Sequence, residues 1–102
     1  MRPLTTGRSD RLELLQTFVC IAEAGSLSAA AAALSVSQPT VTRRVQLLEA
    51  LLGLRLLDRS TRSVHLTVDG EWCLNEARQM LRLWNESVVA MQSRPERIQE
   101  DR

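Results

Sequence analysis

"SVSQPTVTRR", residues 35–44, lies within a stretch that otherwise reads as continuous helix, and the meaning of its proline decides the fold. In a helix interior, proline costs about 3 kcal/mol; in the first turn it costs little, because the N–H it lacks has no intrahelical partner there. With Ser37 as N-cap, Pro39 falls in that first turn and starts a helix instead of breaking one. The helix runs to about Leu52 and is stopped by Gly53. At about 100° per residue, Val41, Val45, Leu48 and Leu52 gather on one side. Pro39, Thr42, Arg43 and Gln46 fall on the other. One face suits burial and the other suits hydrogen bonds or charged contacts.

Upstream, Asp10 and Glu13 have the spacing of a capping box. The helix they open repeats Leu12, Leu15, Val19 and Ala22 at helical intervals, with Leu14, Phe18 and Ile21 widening the stripe. Gly25 ends it. Ser26 caps a short second helix, Leu27 to Leu34, which is nearly all alanine and lets neighbours approach closely. Ser35 and Val36 then turn the chain into the third helix. A helix, a short helix, a tight turn and a helix with a polar outer face make a helix-turn-helix.

Downstream, "LRLLDR" and "VHLT" read as two short strands around the turn "STRS", with Leu54, Leu56, Val64 and Leu66 as inner positions. Such a hairpin behind the third helix is a wing, and Arg59 and Arg62 sit at its tip. Thr67 caps a last, long helix with Asp69 and Glu71 in its first turn. Along it Gly70, Leu74, Ala77, Leu81, Trp84, Val88 and Met91 recur at alternating spacings of four and three, the seam of helices packed side by side. About 25 helical residues span roughly 38 Å, more than a three-helix core covers, so a homodimer through this helix is expected. The fold class is mostly α: three helices and a two-stranded wing form a winged helix-turn-helix, followed by a long dimerisation helix. The expected division is a disordered tail at 1–9, the winged unit at 10–67, the linker helix at 68–93 and a frayed tail at 94–102.

Composition narrows the function. The 102 residues suit one domain, with one Phe, two Trp and no Tyr, so the core must be aliphatic and helical. Every basic residue is arginine, whose planar fork suits phosphate and guanine, although a GC-rich coding gene produces the same bias. The net charge is only +1, yet residues 26–67 hold Arg43, Arg44, Arg55, Arg59 and Arg62 against Glu49 and Asp58. Cys20 and Cys73 have no metal-binding spacing, and His65 has no second ligand or nucleophile beside it. No cofactor, no metal, no catalysis and no membrane span are expected, and the chain is expected to be cytoplasmic.

Taken together, "AEAGSLSAAA", "LSVSQPTVTRRVQLLEALLGLRLL" and "LTVDG", in this order and spacing, resemble the N-terminal domain of LysR-type transcriptional regulators, over roughly residues 10–93. The resemblance implies sequence-specific binding of double-stranded DNA at imperfect palindromes. In that family the third helix enters the major groove, the wing touches the adjacent minor groove, and linker helices pair two domains. By motif position, Gln38, Pro39, Thr42 and Arg43 would serve bases and nearby phosphates. Ser37, Thr40 and Arg44 would serve the backbone, and Arg59 and Arg62 the wing. The dimer interface would use Leu74, Ala77, Leu81, Trp84, Val88 and Met91. Ala32 and Ala33 stand where many relatives carry basic residues, which implies weaker phosphate contacts from the second helix. The family's effector-binding domain is expected to be missing, so a small-molecule effector would belong only to a full-length parent.

Each of these residues also has a plainer reading. Gln38 can pair with an adenine edge or be a solvated first-turn glutamine. Pro39 can pack on a thymine methyl, and starts the helix in either case. Arg43 leaves the face opposite the core. Arg44 lies nearer the core flank, where a phosphate contact and an internal ion pair are both open. Arg62 can reach a narrow minor groove or remain an exposed turn charge. Trp72, Trp84 and both cysteines read as packing. The competing function is a helical protein-interaction module built on the long helix, with no sequence-specific DNA binding.

Overall fold

The structure, a computed structural model, describes residues 10–58 and 63–95. The expected tail at 1–9, residues 96–102 and the wing tip with Arg59 and Arg62 lie outside the described residues. Helix α1 covers Arg11–Ala24, α2 Leu27–Leu34 and α3 Gln38–Leu52; strands β1 (Leu57–Asp58) and β2 (His65–Leu66) follow, and α4 covers Val68–Ser93. The strands pair antiparallel, with Leu57 opposite Leu66 and Asp58 opposite His65.

Local chemistry accounts for each helix boundary. The Asp10 carboxylate accepts from the Glu13 N–H at 2.7 Å, and the Ser26 hydroxyl accepts from that of Ala29 at 3.1 Å. Ser37 accepts from the Thr40 N–H at 3.2 Å with Pro39 in the first turn, the role the sequence predicts. Gly25 and Gly53 end α1 and α3 in the left-handed region, at φ 82° and 69°, where a side chain would clash with its own backbone. Ser35 ends α2 in the same region at φ 59°, an uncommon conformation for a residue with a Cβ.

The core lies where α1, α2 and α3 meet the first half of α4. Phe18, Ile21, Ala30, Val41, Val45, Leu56 and Ala77 are wholly buried, and each large aliphatic or aromatic side chain among them contributes about 1.5–3 kcal/mol by leaving water. In α1 the buried line runs through Leu14, Phe18 and Ile21, while Leu12, Val19 and Ala22 are only half-buried at its margin. Two expectations shift. Leu52, in the last turn of α3, is exposed. Leu54 is also exposed, and Leu57 is buried in its place. The chain leaves α3 through a turn in which the Gly53 and Leu54 N–H groups both donate to the Glu49 carbonyl, so the strand begins three residues later.

Candidate nucleic-acid interface

Burial of Val41, Val45 and Leu48 fixes the roll of α3, and the opposite face is open. Gln38, Pro39, Thr42, Arg43 and Gln46 line one shallow cleft of about 490 Å³ along it. Gln38, Pro39, Arg43 and Gln46 are exposed and Thr42 is half-buried. At the start of the helix, the Ser37 and Thr40 hydroxyls hydrogen-bond to each other at 2.8 Å. The surface thus offers two amides, hydroxyls, an apolar ring and one guanidinium, with no carboxylate among the cleft residues.

Arg44 requires a correction. It points away from this face: its Nη2 lies 3.4 Å from a Glu13 carboxylate oxygen, and its Nη1 donates to the Thr17 hydroxyl at 3.2 Å. The side chain is only 13 % exposed, and its Nε is buried without a partner. Thr17, wholly buried, in turn donates to the Glu13 carbonyl at 2.8 Å. The physical reason is angular. Arg44 lies beside the Val41–Val45–Leu48 line on its α1 side, so the internal ion pair prevails over solvent. Because Glu13 is 39 % exposed, solvent screens much of the attraction, and Arg44→Ala is expected to cost about 1 kcal/mol. Thermal unfolding checks this, with a fall of roughly 4–8 °C expected; an unchanged midpoint would remove the clamp.

A second positioning residue, Glu49, escaped the sequence reading. One of its carboxylate oxygens accepts from the backbone N–H groups of Leu56 and Leu57, at 2.8 and 3.3 Å. The root of the wing is therefore tied to the rear of α3. The only hint in the sequence is an acid beside the buried line of α3, eight residues before the first strand. On β2, His65 Nε2 and the Ser63 hydroxyl are 3.0 Å apart, and Arg55, just before β1, is exposed.

The apolar seam of α4 divides in two. Ala77 is wholly buried, and Leu74 and Leu81 pack on the same core, so these three face their own chain. The placement of Leu74, Ala77 and Leu81 in the dimer interface is corrected accordingly. Periodicity marks a stripe for cover, but α1 provides that cover as far as Leu81. Beyond it, Trp84 and Met91 are exposed and Val88 is half-buried. Trp72, Met80 and Leu83 are exposed on the adjoining flank, a second apolar strip not read from the sequence as interface. An exposed ion pair, Arg78 to Glu23 at 3.3 Å, joins α4 to α1. Cys20 and Cys73 are half-buried, and burial pushes the Cys73 thiol up from its ordinary value, which keeps it a neutral packing group. Among the described residues no helix is long and apolar enough to cross a membrane, and no group of three or more His, Cys, Asp or Glu could hold a metal ion.

This geometry has close counterparts. The DNA-binding domain of CbnR, crystallised with DNA, superposes with a TM-score of 0.78 at 43 % identity, over 82 % of this chain and 97 % of that one. The DNA-binding domain of BenM in complex with benA site 1 DNA gives 0.78 at 32 % identity, over 81 % and 96 %. In sequence, the HTH-type transcriptional regulator TcbR of Pseudomonas sp. (strain P51) is 51 % identical over 69 residues, 68 % of this chain and 24 % of that protein. The chain spans about a quarter of the length of the curated relatives it matches. Residues 12–71 match the bacterial regulatory helix-turn-helix proteins of the lysR family. With that match over more than half of its length and the same arrangement of helices and wing, the chain belongs to the lysR family of bacterial regulatory helix-turn-helix proteins.

Proposed function

We propose that this chain is the operator-binding part of a transcriptional regulator, a homodimer that binds double-stranded DNA sequence-specifically in the cytoplasm and catalyses no reaction. The observation that carries this reading is the carboxylate-free outer face of α3, with Gln38, Pro39, Thr42 and Arg43 in one cleft, on a fold whose counterparts were crystallised with DNA. With α3 in a major groove, Gln38 offers a donor and an acceptor to an adenine edge, and Pro39 and the Thr42 methyl offer an apolar contact to thymine. Arg43 serves guanine or a phosphate. The Ser37 and Thr40 hydroxyls reach the backbone, and Arg59 and Arg62 serve the wing. Arg44, held by Glu13, acts by fixing α3 on α1. The reading unit at 10–67 continues into the first half of α4, and the exposed half of α4 pairs two copies.

Mobility shifts on a selected duplex across a salt series test the proposal. Affinity should fall steeply as salt rises, because each neutralised phosphate releases counterions. Binding that ignores salt would favour the protein-interaction alternative. Arg43→Ala is expected to weaken operator binding by about 1–3 kcal/mol, and an unchanged Kd would remove Arg43 from the contact set. Arg44→Ala should leave the salt slope unaltered.

A further inference from the structure

We infer that Gln46 reads a base, setting operator specificity at a base pair beyond the one reached by Thr42; this rests on the DNA-binding reading above. Gln46 closes the far end of the cleft that begins at Gln38 and Pro39. Four residues separate it from Thr42, so it lies about 6 Å further along the helix axis. That displacement exceeds the roughly 3.4 Å between stacked base pairs, so a side chain there can reach a different pair from the one that Thr42 meets.

The surroundings favour a base over a phosphate. The Gln46 side chain is exposed and has no hydrogen-bond partner among the described residues, so its amide is free for a ligand. Ala50, the next residue along this side, is exposed and small, so it leaves Gln46 room to approach a groove floor. Glu49, beside it, is directed to the Leu56 and Leu57 N–H groups, which keeps its carboxylate off the reading face. A neutral amide with one donor edge and one acceptor edge gains little from a phosphate, but it matches the N6 and N7 pattern of adenine in two parallel hydrogen bonds.

Selection of bound duplexes from a random pool, with wild type, Gln46→Ala and Gln46→Glu in parallel, tests this. Wild type should select adenine at one position of each half-site, distinct from the pair that Thr42 meets. Gln46→Ala should lose that preference by about tenfold, the lower part of the range for a bidentate pair, and keep both the remaining motif and the salt slope. Gln46→Glu should move the preference towards cytosine, whose N4 amine donates to a carboxylate. An unchanged motif for Gln46→Ala overturns the inference while the DNA-binding reading stands. So does a uniform loss with a shallower salt slope, the mark of a phosphate contact. A wild-type protein that selects no motif overturns both. Because the side chain is exposed, equal melting temperatures are expected for all three proteins, and a lowered one for Gln46→Ala would assign the residue to the fold instead.

Discussion

Gly70→Ala is expected to destabilise the fold by about 3 kcal/mol, at the upper end for an overpacked site, and to lower the melting temperature by roughly 15 °C. Helix propensity alone argues the reverse, since alanine is preferred over glycine by about 1 kcal/mol in a helix interior. Steric overlap decides the sign. A Cβ on Gly70 would overlap the Leu56 carbonyl oxygen and come within 3.1 Å of its carbon and 3.2 Å of the Leu66 Cβ. Backbone cannot rotate away as a side chain can. That carbonyl also accepts from the Thr67 N–H at 3.0 Å, and the Thr67 hydroxyl caps α4 by accepting from the Gly70 N–H at 2.9 Å. Displacing Leu56 therefore loosens the wing root and the start of α4 together. Urea or thermal unfolding of the purified variant checks this, and a melting point at or above wild type would show that α4 does not approach the wing root so closely.

What could be read from the sequence was what depends on near neighbours. Ser37 and Pro39 open α3 because the cap and the missing N–H both act within one turn, and Gly53 ends it for an equally local reason. The outer face of α3 followed from the same residues, since three buried aliphatic side chains leave a single orientation. What the sequence left open or misplaced shares a different cause. Arg44, Leu54 and Ala77 each lie at a boundary where local pattern is silent about what stands opposite. An arginine on a core flank turns inward only if a carboxylate such as Glu13 arrives from another helix. Leu54 and Leu57 exchange roles because Glu49 captures the chain after α3 and sets where the strand begins. Periodicity in α4 marks a stripe that needs cover without saying whether the same chain supplies it.

That last ambiguity makes Trp84 and Ala77 a discriminating pair. Both lie near one direction on α4, seven residues apart, yet Ala77 is wholly buried and Trp84 is 48 % exposed. A carboxylate at Ala77 would be desolvated inside the core without a partner, at a cost of several kcal/mol, so Ala77→Glu should unfold the chain. Trp84→Glu places the same charge where the single chain leaves the side chain half in water, so its melting transition should persist. The effect should fall on assembly instead. In a dimer joined through the exposed half of α4, with Trp84, Val88 and Met91 meeting a second copy, that charge enters an apolar seam and separates the protomers. Each half-site is then bound alone, and affinity for a palindrome should drop by about 100-fold or more, the gain that linkage of two sites ordinarily provides. Sedimentation velocity on folded Trp84→Glu should show a monomer where wild type shows a dimer. A variant that stays dimeric and keeps its palindrome affinity would move the interface off this face, and Trp72, Met80 and Leu83 would then be the next apolar strip to test on the same helix.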